Sequence, residues 1–560
     1  MKLSKLYVPT LKQVNTDSDY LSQTYLYRAG MIKKNYHGGF TYLPYGKKMK
    51  EKWLKHIETV FEDDCINEIE LPIILKNEIL KTRKYEMKSK LFEIDNEKEL
   101  AIGPIQEETV INQVKGHLTS YKKLPLVLYS KENKIINNVK IKESMVSSIG
   151  QKIMKFYCFG ETNDKLNQNI DEIKFKFEKI ISGYGNLEYT ENKLNSSNHS
   201  EILTMDTKHG EHGYFKCSNC GLAINKKYGL VGTKIQDEKL EKLEELYTPD
   251  IKTIEELEGF LKIEGECFVK SLIYKVKDEY IMIEIPGNQE LDEYKLSKYL
   301  KVSKSEIELA DYEKVKEITG AEVGFAGPLN LKQEIRTIVD KSVTKMSNFV
   351  VGANKTDYHI KNVNYERDYT AEIAENLLEV REESLCSNCC SKIEDIDAIE
   401  LAIINRYSEE YCEKMDLKYL DENGKNQIMR FATIELDIEA AFQGILENTI
   451  KEENFVLPSV LRPYDLELIV VNPKNEDQYK MANKMYTDIK QLGLNVLYDD
   501  RQERAGAKFK DAELFALPYR VTVGRGAKDN IAEWSNTNEN IKEEIPYESV
   551  LNFIRNLDRD

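Results

Sequence analysis

The hydrophobic pattern of the first 224 residues mixes helical and strand periodicities. Apolar positions spaced three or four apart predict amphipathic helices, whereas short continuous apolar runs predict buried strands. Predicted helices cover 20–32, 47–64 and 168–183, and predicted strands cover 124–130 and 154–159. Between 99 and 116 the pattern predicts a short strand, a turn at Gly103 and Pro104, and a helix. This mixture of helices and strands is typical of an α+β domain.

A different pattern covers residues 225–385. Two strongly apolar strands, 267–276 and 279–285, stand among predicted helices, and the segment GFAGP supplies a Gly/Pro loop. We interpret this region as a compact α+β domain of its own. Predicted helix and strand then continue to about 455.

The last hundred residues alternate strand and helix, which is typical of an α/β domain. Predicted strands cover 466–471, 495–500 and 519–524, with helices over 476–491 and 508–515. A chain of 560 residues suggests three or four domains, because one core rarely serves more than about 250 residues. The predicted boundaries are 1–224 and 386–458 for a divided first domain, 225–385 for an inserted domain and 459–560 for the last domain.

Charge and apolar content narrow the function classes. The formal net charge of -16 disfavours a general nucleic-acid binder, although a local basic face can act inside an acidic protein. No apolar run reaches the roughly 18 residues of a membrane span, and the N-terminus lacks the apolar core of a signal peptide. We therefore expect a cytoplasmic location.

Two pairs of cysteines have the spacing of metal-binding knuckles. Cys217 and Cys220 lie in FKCSNCGL, and Cys386 and Cys389 lie in LCSNCCS, where Cys390 could replace Cys389. Four thiolates suit tetrahedral zinc in a structural role. The long gap between the pairs fits an inserted domain, because such a domain begins and ends at neighbouring points. The alternative is reduced structural cysteines without metal.

The order of segments resembles that of bacterial prolyl-tRNA synthetases along essentially the full chain. The resemblance rests on GGFTYLPYG (38–46), GPIQEE (103–108), SYKKLPLVLY (120–129), GKNQI (424–428) and, most specifically, LYDDRQERAGAKFKDAELFALPYRVTVG (497–524). It implies a class II synthetase core built on an antiparallel sheet, an inserted α+β editing domain of the YbaK-like type and a C-terminal α/β anticodon-binding domain. It also implies tRNA as a partner and a homodimer formed through motif 1, with Pro72 as the proline of that motif.

The segments that match the family's activation site depart from its pattern. Class II activation needs arginines against the ATP phosphates, because a guanidinium holds phosphate bidentately and stays charged. In motif 2 the substituted positions are Ile136 and Asn138, and in motif 3 they are Glu435, Asp437 and Ala440. In the proline pocket Ile105 and Ile399 are substituted, whereas Glu107 is kept. Lys140 and Lys142 keep positive charge without the fork geometry. Carboxylates in motif 3 repel a triphosphate, so we expect that activation is lost and that ATP and magnesium bind only if ligase activity survives.

The segments that match the family's editing domain keep its pattern. By residue type and spacing the matching residues are Lys270, Gly324, Pro328, Asp340 and His359. The resemblance implies hydrolysis of alanine mischarged onto proline tRNA, in which backbone amides polarise the ester and an ammonium steers the tRNA 3′ end. Taken singly, the same residues are also typical of a surface lysine, an ordinary turn and a structural histidine.

The resemblance implies tRNA contacts at Arg501, Arg504 and Lys508, within the segment DDRQERAGAKF. Arginine reads guanine through paired hydrogen bonds, and lysine suits phosphate. The alternative is an α/β surface whose salt bridges serve packing.

Three functions follow from the sequence. The main hypothesis is a proofreading enzyme that cannot activate proline and hydrolyses mischarged proline tRNA. The second is an authentic proline–tRNA ligase. The third is a non-enzymatic regulator that binds tRNA.

Overall fold

The computed structural model describes residues 1–14, 18, 20–36, 38–62, 65–76, 92–95, 100–103, 106–135, 145, 150–192, 199–210, 213–234, 239–450 and 455–557. Within these residues the predicted fold class is confirmed. An antiparallel core carries an inserted α+β domain and is followed by an α/β domain. None of the described helices combines the length and apolar character needed to cross a lipid bilayer.

A seven-stranded sheet forms the centre of the first domain. In spatial order its strands are Ile66–Glu68, Leu126–Lys134, Gln151–Gly160, Arg430–Asp437, Ala398–Arg406, His199–Asp206 and Leu187–Asn192. Neighbouring strands are antiparallel except for the first pair, which is parallel. Two central strands come from beyond residue 397, so the sheet is complete only after the chain returns from the inserted domain.

Helices cover this sheet. They are Leu21–Arg28, Pro44–Phe61, Glu107–Val114, Asn163–Ile181, Glu409–Lys414 and Ile438–Thr449. Pro44–Phe61 buries apolar residues at four-residue spacing, among them Trp53, whose indole N–H donates to the Ile438 carbonyl oxygen at 2.8 Å. The helix begins before the predicted position 47, because proline at the first helical position has φ fixed in the helical range.

Short strands complete the first domain and join its two parts. They are Ile32–Tyr36 with Gly39–Tyr42, Ile74–Lys76 with Leu100–Ile102 and Phe92–Asp95, Tyr214–Cys217 with Ala223–Asn225 and Ile393–Ile396, Val231–Gly232 with Leu385–Cys386, and Lys418–Leu420 with Asn426–Ile428. Two of these groups join the incoming and the returning chain. Tyr214–Cys217 pairs with Ile393–Ile396, and Val231–Gly232 pairs with Leu385–Cys386. Entry to the inserted domain and exit from it are therefore adjacent in space.

The inserted domain packs two sheets together. Its five-stranded sheet has the order Ile307–Leu309, Val269–Val276, Glu279–Pro286, Arg336–Asp340 and Glu372–Ala374, and its three-stranded sheet has the order Glu244–Tyr247, Tyr358–Val363 and Phe349–Gly352. The helices are Ile254–Leu261, Glu293–Leu300 and Tyr312–Thr319. Apolar residues of both sheets share one core, including Val269, Val339, Phe349 and Val363.

The last domain is an α/β sheet flanked by helices. Its strands are Val496–Asp499, Leu466–Val470, Tyr519–Val523, Ile531–Asn536 and Ile541–Pro546, and its helices are Glu476–Gln491, Ala505–Phe515 and Tyr547–Arg555. The first three strands are parallel. The N-terminus of the chain docks on the edge of this sheet, where Lys2 bridges Tyr498 and Ser4 donates to the Asp500 carboxylate.

Candidate functional sites

The first candidate site lies on one face of the seven-stranded sheet, and we call it the activation face (Glu107, Lys155, Glu435 and Lys134). Lys155 Nζ lies 3.0 Å from Glu107 Oε1 and 3.7 Å from Glu435 Oε2. The Tyr407 hydroxyl donates to Glu107 Oε1 at 3.0 Å. Lys155 is only 2% exposed, so its ammonium faces other side chains of the protein.

Lys134 completes the activation face as a second cation on Glu435. Its ammonium forms an ion pair with Glu435 Oε1. Burial alone would raise the pKa of Glu435, but Lys134 and Lys155 outweigh it and hold the pKa below its usual value. Burial opposes the charge on Lys155 as well, yet Glu107 and Glu435 raise its pKa above the ordinary range. The charges of the activation face therefore neutralise one another.

The other substituted residues of motif 3 and the proline pocket serve the fold. Asp437 accepts hydrogen bonds from the amides of Glu439 and Ala440, at 3.1 and 2.8 Å, and so caps Ile438–Thr449. Burial raises the pKa of Asp437 to about 7. Ala440 and Ile399 are fully buried in the hydrophobic core. The remaining substituted positions, Ile105, Ile136, Asn138, Lys140 and Lys142, lie outside the described residues.

The second candidate site lies in the inserted domain, around the loop 324–328. His359 Nδ1 lies 2.7 Å from the Thr248 hydroxyl, and the His359 ring also hydrogen-bonds the backbone of Gly324. Burial lowers the pKa of His359 to about 4. In neutral imidazole one nitrogen donates and the other accepts, so these two contacts fix the tautomer. His359 is thus a neutral ring that links the loop, at Gly324, to Thr248.

Asn354 clamps the same loop, and sequence reasoning missed it. Its Nδ2 donates to the carbonyl oxygens of Gly327 at 2.8 Å and Leu329 at 2.6 Å, and its Oδ1 accepts from the Gly327 amide at 3.0 Å. The signal was present in the sequence, because asparagine readily adopts a positive φ, and Asn354 has φ 54°. Within the described part of the chain, no backbone carbonyl accepts from the amide of Ala326.

Glycines let the loop lie directly on the neighbouring strand. A Cβ atom at Gly327 would lie 1.9 Å from the Gly352 carbonyl oxygen, which no side chain can accommodate. Gly324 has φ +101°, in the region that favours glycine. Pro328 is half-buried at the end of the loop. The loop is therefore held rigid by close backbone contact.

Lys270 and Asp340 lie at one level of the five-stranded sheet. Lys270 pairs with Ile285, and the register of the next strand places Asp340 on the far side of Ile285. Lys270 Nζ donates to Glu290 Oε1 at 2.8 Å. Asp340 is buried, and its carboxylate accepts from the amides of Ser342 at 2.9 Å and Leu377 at 2.8 Å.

The five predicted editing residues thus form two groups, Lys270 with Asp340, and Gly324 and Pro328 with His359. A single strand connects the groups, because Phe268 bridges Val350, and Gly352 on the same strand contacts the loop. Asp340 and His359 are buried and hydrogen-bonded, as structural residues are.

The four cysteines of the two knuckles come together at the junction of the domains. Sγ of Cys217 lies 3.5 Å from Sγ of Cys389, and Sγ of Cys220 lies 3.6 Å from Sγ of Cys386. All four sulfurs lie within 4.8 Å of one another. Zinc–sulfur bonds of about 2.3 Å in a tetrahedron place sulfurs about 3.8 Å apart, so the donor set fits zinc. Cys389, and not Cys390, belongs to this group.

The predicted tRNA contacts of the last domain differ in exposure. Lys508 is fully buried, and its Nζ donates to the Val470 carbonyl oxygen at 2.7 Å. Arg501 forms paired hydrogen bonds with Asp499, at 3.0 and 2.7 Å. The Arg501 side chain is 23% exposed, and Arg504 is the most exposed of the three. In this conformation Lys508 cannot reach a phosphate.

Comparison with known proteins identifies the family. The model of the aminoacyl-tRNA editing domain matches residues 248–368, and that of the anticodon binding domain matches 467–557. The proline–tRNA ligase of Thermoanaerobacter sp. (strain X514) is 32% identical over 567 residues, covering 100% of this chain and 99% of the relative. The chain belongs to the bacterial prolyl-tRNA synthetase family. The proline–tRNA ligase of Brachyspira hyodysenteriae is 30% identical, covering 99% of this chain and 98% of the relative.

Solved structures agree with this family at the level of the fold. The prolyl-tRNA synthetase of Giardia lamblia, in complex with prolyl-adenylate, superposes with a TM-score of 0.54 at 12% identity. That comparison covers 96% of this chain and 75% of the other. The enzyme of Cryptosporidium parvum, in complex with L-proline and AMP, gives 0.53 at 11% identity, covering 95% and 75%. Together with the two family models, these superpositions confirm the class II fold with its editing and anticodon-binding domains.

Proposed function

We propose that this prolyl-tRNA synthetase family member hydrolyses mischarged aminoacyl-tRNA, such as alanyl-tRNA for proline, in its editing domain. The proposal is supported chiefly by the loop 324–328, which His359 and Asn354 hold by hydrogen bonds. The strand Phe349–Gly352 lies between this loop and the strand that carries Lys270. It does not depend on whether the chain also ligates proline to tRNA.

The proposed reaction needs no protein nucleophile. A water oxygen adds to the ester carbonyl carbon, the bond to the ribose oxygen breaks, and that oxygen takes a proton. The Ala326 amide is suited to donate a hydrogen bond to the carbonyl oxygen as it gains negative charge. His359 keeps its ring neutral and positions the loop, and Lys270 offers positive charge to the phosphates of the tRNA end.

Deacylation of alanine-charged proline tRNA tests this proposal. The wild-type chain should release alanine well above the spontaneous rate, and Lys270→Ala should fall close to that rate. No release above the Lys270→Ala control would refute the proposal. A panel of other charged tRNAs in the same assay identifies the aminoacyl group and tests whether tRNA specificity is still for proline.

Proline–tRNA ligation is the second candidate, and the names of the relatives favour it over loss of activation. Relatives spanning the whole chain are called proline–tRNA ligases. Ligation by this family requires ATP with magnesium, and the chain keeps Glu107 of the family's proline-pocket loop. The loss of activation expected from the sequence has one support of its own, the neutralised charges of the activation face.

Exchange between ATP and pyrophosphate distinguishes proline–tRNA ligation from loss of activation. Proline-dependent exchange between ATP and pyrophosphate supports ligation and refutes loss of activation. An absence of exchange in a protein that deacylates supports a dedicated proofreader. Binding of tRNA with neither activity supports the non-enzymatic regulator.

Three further expectations belong with this proposal. We propose structural zinc at Cys217, Cys220, Cys386 and Cys389, testable by metal analysis of the purified chain. Four thiolate ligands leave no open position for water, so this zinc would be structural. We also propose tRNA as partner and a homodimer through motif 1, testable by light scattering.

A further inference from the structure

One buried lysine of the editing domain is held by three oxygen atoms. Lys295, on the helix Glu293–Leu300, is 1% exposed. Its Nζ donates to the carbonyl oxygens of Gly229 at 2.8 Å and Leu378 at 2.5 Å, and to Asn376 Oδ1 at 3.1 Å. A buried ammonium is costly unless its protons are hydrogen-bonded, and here three acceptors match three protons.

The three acceptors come from the two connections between the editing domain and the core. Gly229 lies on the connection that enters the editing domain, before the matched residues 248–368. Asn376 and Leu378 lie on the connection that returns to the core. Asn376 Nδ2 also donates to the Gly229 carbonyl oxygen at 3.3 Å. The Lys295 ammonium is therefore hydrogen-bonded to both connections.

The returning connection also holds a predicted editing residue. The Leu377 amide donates to Asp340 Oδ2 at 2.8 Å, and the Leu377 carbonyl accepts from the Asp292 amide at 2.8 Å. Leu377 lies between the two acceptors of Lys295. A shift of this segment would move Asp340 with it.

A cleft of about 130 Å³ separates the editing domain from the two connections. Thr233 and Glu383 line its connection side, and Pro286 and Met346 line its editing side. Pro286 pairs with Val269, the neighbour of Lys270. The position of the connections therefore sets the width of a cleft close to Lys270.

We propose that Lys295 is a positioning residue whose ammonium fixes the two connections, and with them Asp340 and the cleft wall, in the arrangement that deacylation requires. The proposal rests on the proposed editing function. Burial lowers the pKa of Lys295 to about 8, against the opposing charges of Asp292, Asp340 and Glu379. At neutral pH the side chain thus keeps its proton and its three donors.

Two variants of one helix test this role. Lys295→Met keeps most of the apolar stem and removes the donors, and Lys298→Met is the control about one turn further along the helix. In Lys295→Met, hydrogen exchange over 374–380 and 226–232 should quicken about tenfold or more, since charged hydrogen bonds are lost. The kcat of deacylation should fall about tenfold or more, because small displacements of a site are costly, while KM for tRNA stays unchanged. Lys298→Met should change neither.

Each outcome bears on the proposal. Faster exchange confined to the two connections, with partial rescue by Lys295→Arg, supports it. Unchanged exchange, or unchanged kcat in a folded Lys295→Met protein, overturns it. If Lys295→Met does not fold, Asn376→Ala removes one acceptor and should give the same local pattern more weakly, and its failure to do so overturns the proposal. If the wild-type protein has no deacylase activity, the editing function is refuted. The hydrogen-exchange pattern still tests whether Lys295 holds the two connections.

Discussion

The activation face and the editing domain use their polar residues in opposite ways. On the activation face, Glu435 stands between two lysines and the charges satisfy one another inside the protein. In the editing domain the proposed chemistry depends on a backbone loop, which His359 and Asn354 hold by hydrogen bonds. Charges paired inside the protein leave little for a ligand, and losing one partner is costly, whereas a loop held by hydrogen bonds can present a backbone donor.

The largest expected effect comes from breaking the charge network. Glu435→Gln removes the carboxylate that neutralises Lys134 and Lys155, and we expect a loss of about 4 kcal/mol in unfolding free energy. The chain has two tryptophans, so a Trp534→Phe background leaves Trp53, in the core, as the reporter of urea unfolding.

The matched control for that prediction is Glu476→Gln. Glu476 forms an exposed pair with Lys480 on a helix, and its loss should leave the midpoint of urea unfolding essentially unchanged. Equal effects of the two substitutions would contradict a structural role for the activation face.

The second prediction breaks the braced loop. Gly327→Ala places a methyl group against the Gly352 carbonyl oxygen, and we expect the editing domain to lose about 3 kcal/mol together with deacylation. Gly259→Ala is the control, because its added Cβ meets nothing within 4 Å on the helix Ile254–Leu261. That change should stabilise by about 0.5–1 kcal/mol. Full deacylase activity in Gly327→Ala would show that the loop can move without harm.

How far sequence predicts structure differs between elements. The helix predicted over 476–491 is observed as Glu476–Gln491, because its apolar periodicity coincides with an asparagine cap. The helix predicted over 168–183 instead spans Asn163–Ile181, because the Thr162 side chain caps a polar first turn that apolar periodicity does not register. Local capping explains both results.

Site residues were harder to predict than elements. The order of Lys270, Gly324, Asp340 and His359 came from family resemblance, but their division into two groups depends on strand register. Lys508 is buried on the Val470 carbonyl oxygen, a tertiary contact that the sequence does not encode locally. The hydrogen bonds of Lys295 are likewise tertiary contacts with residues distant in sequence, so the sequence does not predict them.

The third prediction uses the neutral state of His359. Its pKa falls from 6.5 to about 4 on folding, so the unfolded chain binds the proton first. The stability that His359 contributes is complete above pH 6.5 and is lost as pH falls toward 4. At pH 5 the loss is about 2 kcal/mol relative to pH 7.

His359→Gln isolates this contribution, because glutamine does not titrate. Burial raises the pKa of Glu284 to about 7 and also raises that of Asp340, and both act in the opposite direction. These groups are common to both proteins, so their effects cancel in the difference. Urea unfolding at pH 7 and pH 5 should show the extra loss in wild type only, and equal pH dependence would contradict a neutral, buried His359.

The smallest expected effect concerns the anticodon-binding domain. It tests whether the cations of this domain are paired inside the protein, as on the activation face, or are available to tRNA. Arg504→Ala removes an exposed guanidinium, so tRNA binding should weaken by about fivefold, and the slope of affinity against salt should fall by about one ion. Lys508→Met should leave tRNA affinity unchanged while lowering stability, because its ammonium is committed to Val470 and Asp499. Fluorescence anisotropy with labelled proline tRNA between about 50 and about 200 mM salt measures both. If Lys508→Met weakens binding and Arg504→Ala does not, the buried lysine must become exposed on binding, and the charges of this domain would be available to a ligand in a way that those of the activation face are not.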